Sequence, residues 1–504
     1  MSLLGIDVGT TGCKAALFST EGCMLASAYE EYDIRRPQPG WAELDTMEVW
    51  GKVERMITQV VCASSADPVT ALCVSSLGEA VVPVTRDRRI LGPSLLNFDV
   101  RGEEYVASLG QALPDERLYQ INGNTFGNHY TLTKLRWIKE HQPDLYAAAF
   151  KFLLWGSFVS FMLGAEPVVD YALANRTLLF DIDRETWSEE LLAWAELDRD
   201  KLPDTVPSGT AIGVVSDQVA AKLGLPPGVT IVSGAHDQCS SAVGCGVIAE
   251  GRAVLGMGTF LCITPVFAAR RAPTAMIARG LNTEHHAVPG QYVCFIYNQG
   301  GSLVKWFRDT FAAAEHRRAQ GEGRDVYPEL FAELPEGPSP VVVLPHFAVT
   351  GPPEFVIDSC GVVAGLRLET TRGAILKGIL EGTTFYLKEI VDSLPPTGIT
   401  ITDYRAVGGG SKSDAWIQVC ADILGRPFTR PMIGEAGVLG AAIMAGVGSR
   451  IFPSYQAGVE TMVKLERTFE PDLQRHRLYQ DRFEKYRRLW PLLREYLRGL
   501  GGGG

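Results

Sequence analysis

The sequence predicts an α/β protein of two similar domains facing each other across a cleft, and three observations carry that expectation. The runs "ALCVSSLG", "GVTIVSGA" and "DYRAVGGG" are apolar and end in small residues, and helical periodicity follows the last two. The segments "LLGIDVGTTGCKAALF" and "RAVLGMGTFLCITPVF", about half a chain apart, both read as strand, Gly-Thr turn, strand. Such an echo predicts two copies of one architecture. Finally, 504 residues exceed one usual domain, so two fit the length.

Along the chain, "LLGIDVGTTGCKAALFSTEGCMLASAYEEY" alternates apolar runs with glycine turns, the pattern of consecutive antiparallel hairpins at the edge of a mixed sheet. "FLLWGSFVSFMLG", from Phe152, is shorter than the ~20 residues a bilayer span needs and reads as a buried helix. The boundary between halves falls near residues 245–250, which gives domains 1–247 and 248–490 and a tail 491–504. The charged end, "DLQRHRLYQDRFEKYRRLWPLLREYLRGL", reads as a surface helix interrupted at Pro491.

Composition narrows the function. Hydrophobic residues make up 46% and charged residues 21%, as in ordinary globular proteins. The net charge of -11 argues against a nucleic-acid or anionic-membrane surface. Ten cysteines fall singly with no C-x-x-C pair, which predicts reduced, mostly buried thiols in the cytoplasm. No basic segment leads into a long apolar run at the N-terminus, so no signal peptide is expected.

In "GIDVGTTGCK" a strand delivers Asp7 to its end, and Gly9, Thr10, Thr11 and Gly12 make the turn. Glycines let backbone approach an anion, amides and threonine hydroxyls donate to phosphate oxygens, and Lys14 adds positive charge. An acid beside that cradle becomes useful with Mg²⁺ between them. Gly258 and Thr259 in "GMGTFL" offer a second such turn, without an acid. In "YNQGGSLVKWF", Gly300 and Gly301 precede an amphipathic helix whose start reads as anion-facing, with Lys305 one turn in. "AVGGGSKSDAW" lacks the Gly-Lys-[Ser/Thr] ending of a P-loop, yet Gly409 and Gly410 leave bare backbone against which an adenine ring could lie. In "VTIVSGAHDQCSSAVG", Asp237 stands between a β-branched run and small residues; on its own it could simply cap a helix beginning at Gln238. Gly234 and Ala235 are expected to leave room for a ligand beside it.

Together with "GVLGAAIMAG" and "GAEPVVDYALANRTLLFDIDRETWS", these motifs stand in the order seen in FGGY carbohydrate kinases, which the chain resembles from about residue 3 to about residue 485. The resemblance implies two actin-like (ribonuclease H-like) domains flanking a nucleotide and sugar cleft, with ATP and Mg²⁺ bound there. It implies that Asp237 is the general base that takes the proton of the attacking hydroxyl, and that Asp7, with Asp237 beside it, serves the metal. Thr10, Thr11, Lys14, Gly258 and Thr259 would meet phosphates, and Gly301, Lys305, Gly409, Gly410 and either Ser413 or Asp414 would line the nucleotide side.

For the substrate the resemblance points to Glu79, Asn97, Asp99, His129, Asp237 and Gln238. Gly78 stands where glycerol kinase has an arginine, and Asn97 where the family usually has tryptophan, which suggests a different or more polar substrate. His129 and His236 also read as hydrogen-bonded structural residues. The expected activity is ATP-dependent phosphorylation of a terminal hydroxyl of a small sugar, foremost a ketose such as xylulose, with domain closure keeping water out. A glycerol or other linear-polyol kinase is the alternative, and a non-catalytic actin-like binding protein or regulator the remoter one. A homodimer is the expected assembly.

Overall fold

The computed structural model describes residues 1–64 and 66–501. Its first half is organised by a six-stranded mixed sheet in the spatial order Ala211–Val214, Thr230–Val232, Val69–Ser76, Ser2–Val8, Gly12–Ser19, Met24–Glu31. Strand Ser2–Val8 pairs antiparallel with Gly12–Ser19 and parallel with Val69–Ser76. The second half repeats that plan. Gly251–Met257 pairs antiparallel with Phe260–Phe267 and parallel with Ile401–Val407, at the centre of an eight-stranded sheet. Both central strands are apolar on both faces, as strands covered by helices on either side must be.

The halves are not separate in space where the chain divides. The helix Ala436–Gly448, late in the sequence, lies on the first sheet, and its residues share a buried cluster with Leu3, Ala16 and Phe18 from that sheet. Small residues permit this. A β-carbon on Gly5 would collide with the Val438 carbonyl, one on Gly440 with the Ser240 carbonyl, and one on Gly244 with the Ala436 carbonyl. The helices Asp237–Gly244 and Ala436–Gly448 therefore cross backbone against backbone.

Three expectations change. "FLLWGSFVSFMLG" is a strand, Lys151–Leu154, turning into a helix, Trp155–Leu163, because the strand pairs with Val81–Val84. The C-terminal stretch is no bland surface helix: Tyr479, Phe483 and Tyr486 of helix Leu473–Tyr486 are buried. The break falls at Arg487 and Arg488, before Pro491, which sits in the first turn of helix Leu489–Gly501, where proline is tolerated; the boundary placed at 491 thus falls inside a helix. All ten cysteines are free, and most are buried.

The crossing gives a direct expectation. Gly440→Ala should destabilise the protein in urea unfolding by about 1–3 kcal/mol, because two backbones must separate. Gly337→Ala, with nothing within 4 Å of the added carbon, should change stability by less than about 0.5 kcal/mol.

Candidate active site

The strand Ser2–Val8 carries its one acid, Asp7, at its C-terminal end, beside the turn at Gly9–Gly12. The Gly9 amide donates to the Gly12 carbonyl at 2.9 Å, and the Tyr32 hydroxyl donates to the carbonyls of Gly9 (2.6 Å) and Gly12 (3.1 Å). That clip fixes the turn and leaves Thr11 exposed and Thr10 half-buried at its tip. Lys14 is the cross-strand partner of Asp7, and its ammonium pairs with Glu435 from the second half. Gly437, in the first turn of the crossing helix, faces the Asp7 carboxylate; a β-carbon there would lie 3.4 Å from Oδ2.

Asp237 is delivered by a strand that runs close to its neighbour. A β-carbon on Gly234 would collide with the Val74 carbonyl, and Ser76 bridges to His236 one step on. Gly234 and Ala235 are buried, so their small size makes room for the adjacent strand and not for a ligand. His236 is the helix cap, and Asp237 is the first residue of the helix, where the macrodipole favours a carboxylate. One Asp237 oxygen, Oδ1, is buried without a hydrogen bond, although His236 Nε2 lies 3.1 Å away. Burial pushes the Asp237 carboxyl up to about 6, partly offset by Gln238 and by the Arg176 charge. Burial and the neighbouring Asp237 push Asp7 up to about 7, and its Oδ1 also lacks a partner. His236 is driven down to about 3 by burial and then by Arg176, so its ring is neutral at pH 7. The arrangement is two carboxylates that hold a proton more tightly than usual and whose ionised forms a nearby cation would favour.

From the second half comes the turn at Gly258–Thr259, with the Gly258 amide donating to the Phe260 carbonyl at 3.0 Å. Here the expected anion-facing helix start is corrected. The amides of Gly301 and Ser302 donate to the carbonyls of Gly258 (3.0 Å) and Thr259 (3.1 Å), so they seat the hairpin on the helix Gly301–Phe311. Lys305 is exposed one turn on. Gly409 is open, with nothing within 4 Å of a would-be β-carbon, whereas Gly410 is packed on the Trp416 ring. Ser413 caps the helix Asp414–Leu424, accepting from the Trp416 amide at 3.2 Å. The Asp414 carboxylate is paired with Arg430 at 2.8 Å and with Arg467. Both residues thus carry structural bonds that their place after a glycine run did not suggest.

Among the residues expected to meet substrate, Glu79 is buried with a left-handed φ of 60°, its carbonyl accepting from the Thr131 hydroxyl at 2.6 Å. Its carboxylate pairs with Arg176, which also donates to Glu284 of the second half at 2.6 Å. Arg176 fills the space left by Gly78, its Cγ 3.0 Å from where a β-carbon would be. Asp99 is the second correction: it is buried, and both its oxygens are taken by Arg101 and the Ala42 amide, at 2.6 to 2.9 Å, so its carboxylate serves the fold. Asn97 and Gln238 are half-buried, and His129 is exposed with its ring centre 4.0 Å from that of Tyr130. Arg176, Glu284 and Glu435 carry no local sequence signal; only the pairing of remote segments exposes them.

Among the described residues no group of three or more His, Cys, Asp or Glu side chains is placed to hold a metal, and no helix is long and apolar enough to cross a membrane. The sequence model of the FGGY family of carbohydrate kinases matches the chain twice, its N-terminal domain over residues 2–244 and its C-terminal domain over residues 263–449. A xylulose kinase of Escherichia coli (strain K12) is 27% identical over 497 residues, covering 97% of this chain and 99% of that one. An autoinducer-2 kinase of the same strain is 29% identical over 518 residues, covering 97% and 94%. The crystal structure of xylulose kinase from Rhodospirillum rubrum superposes with a TM-score of 0.87 at 26% identity, covering 99% of this chain and 100% of that one. The two sheets are accordingly the cores of two actin-like domains. With both family domains matched in order, the chain belongs to the FGGY family of carbohydrate kinases, ATP-dependent enzymes that phosphorylate sugars.

Proposed function

We propose that the protein transfers the γ-phosphoryl group of ATP to a terminal hydroxyl of a small ketose, xylulose foremost, with Asp237 as general base. The observation that carries this reading is the Asp237 carboxylate: half-buried, fixed at a helix start, with one oxygen unpartnered and its affinity for a proton raised to about 6. A base with that affinity is ionised near neutrality yet holds a proton well enough to take one from an attacking hydroxyl. The similarity to xylulose kinases supports the choice of ketose. Autoinducer-2 phosphorylation is the second reading, supported by the relative of that name at 29% identity.

In the transfer, the substrate hydroxyl gives its proton to Asp237 while its oxygen bonds to the γ-phosphorus, and the bond from that phosphorus to the ADP oxygen breaks. Thr10 and Thr11 would donate to phosphate oxygens from the clipped turn. Lys14, now paired with Glu435, would add a cation from the strand beside it. Glycines at 258 and 409 keep side chains away from the nucleotide path. Mg²⁺ would be held by Asp7, whose buried Oδ1 lacks a partner, and by Asp237; two carboxylates plus phosphate and water oxygens suit its preference for hard oxygen ligands. When bound it would neutralise phosphate charge.

ADP release with Mg²⁺ and ATP across ketoses, aldoses and polyols should be stimulated by a ketose, and Asp237→Asn should lower kcat by about 10²–10⁴. Full activity in that variant would remove Asp237 from the mechanism. The pH profile follows from the sign of the shift. A base whose proton affinity is raised loses function as pH falls through its pKa, so kcat/KM for the sugar should rise with unit slope up to about pH 6 and level off above. A profile flat from pH 5 to 8 would contradict it.

A further inference from the structure

Arg176 is less exposed, at 13% of its side chain, than Lys14 at 27% or the exposed Lys305. It follows the short helix Tyr171–Asn175 and is held from both halves of the protein. One guanidinium nitrogen donates to Glu284 Oε1 at 2.6 Å, and the other pairs with Glu79 Oε1. Glu284 Oε1 also accepts from Asn282 Nδ2 at 2.6 Å, and Asn282 Oδ1 accepts from the Phe295 amide at 3.0 Å, so this carboxylate is fixed in direction. The guanidinium sits 5.5 Å from the Tyr130 ring centre and 5.9 Å from that of Phe295. Phe295 packs on His236 at 5.7 Å, and His236 lies 3.1 Å from Asp237. An unbroken chain of contacts thus joins the cluster to the proposed base.

Two features of the cluster point to a ligand. Glu284 is 0% exposed, yet its Oε2 has no hydrogen-bond partner, and Glu79, 4% exposed, uses only Oε1 among the described residues. Both side chains keep an oxygen that can accept from a hydroxyl. The charges do not balance either. One guanidinium faces the carboxylates of Glu79 and Glu284, with that of Asp237 close by; His236 is neutral, and among the described residues no lysine bonds to the cluster.

Resting on the kinase reading of this cleft, we propose that Arg176 is a positioning residue. Clamped between Glu79 and Glu284, it presents their free oxygens to the hydroxyls of a neutral polyhydroxy substrate and makes the site reject sugar acids. A substrate carboxylate would bring a further negative charge beside an acid excess in a partly desolvated site, and would offer no proton to either acceptor. A neutral sugar supplies O–H donors at each point. The second half thereby contributes, through Glu284, to recognition of the sugar held mainly by the first.

The test compares kcat/KM for a ketopentose and for the aldonate of equal carbon number, using the full-length enzyme with Mg²⁺ and ATP. Wild type should favour the ketopentose at least ~100-fold. Glu284→Gln, which removes one charge and keeps the shape, should narrow that preference at least ~10-fold, mainly through a lower KM for the aldonate; Glu79→Gln should act in the same direction. Arg176→Met should raise the KM for the ketopentose at least ~10-fold without moving the KM for ATP, and Arg176→Lys should restore part of the loss. Thermal unfolding of each variant separates these effects from misfolding, and the wild-type preference needs no variant. Turnover led by the aldonate, or a ratio unmoved in a folded Glu284→Gln, would overturn this inference while leaving the kinase reading intact. No turnover with any sugar or sugar acid would overturn the kinase reading and the inference with it.

Discussion

Two helices that cross with bare backbone between them set the geometry of the cleft. Helix Asp237–Gly244 begins with Asp237, and helix Ala436–Gly448 has Gly437 in its first turn, against Asp7. Because Gly244 and Gly440 carry no side chains, the axes come close enough for both helix starts to reach the end of strand Ser2–Val8. Each start contributes positive helix dipole where two acids stand side by side. A bulky residue at the crossing would push one helix away from the strand and its acid away from the other. Buried, close-packed elements hold positions far better than loops do, and the placement of two carboxylates depends on that rigidity.

The acids themselves are under electrostatic stress. Burial lifts the proton affinity of both Asp7 and Asp237, and the Asp237 charge makes ionisation of Asp7 harder still. Such a pair is unfavourable in isolation and gains most from a divalent cation or a proton donor. The Lys14–Glu435 pair spans the two halves beside Asp7, since Lys14 is the cross-strand partner of that acid. The Glu79–Arg176–Glu284 cluster also joins the halves, through Glu284. Two sets of ion pairs therefore join the halves.

What the sequence revealed was local. The strand, Gly-Thr turn, strand units at 2–19 and 251–267 could be read because turn chemistry and alternation lie within a few residues. Asp237 stood out as an acid amid small and apolar residues. Arg176 did not, since its partners Glu79 and Glu284 lie 97 and 108 residues away. The glycine motif before Asp414 pointed to the nucleotide, but the arginines that occupy that carboxylate come from a distant strand pair, 428–431 with 465–469. Asp99 misled for the same reason: Arg101 is near in sequence, yet the Ala42 amide that completes its shell is not. The tail was misjudged because its charged residues dominate the composition while every third or fourth position, Tyr479, Phe483 and Tyr486, is buried.

An aspartate beside a phosphoryl donor can act as a base or as a nucleophile, and the two leave different marks on phosphorus. Starting from ATP made chiral at the γ-phosphorus with oxygen isotopes and sulfur, and using the sugar that gives the fastest turnover, the configuration of the product can be determined. Direct attack by the sugar hydroxyl, with Asp237 taking its proton, predicts inversion. Net retention would mean two successive displacements through a phosphorylated enzyme, and would contradict the role assigned to Asp237.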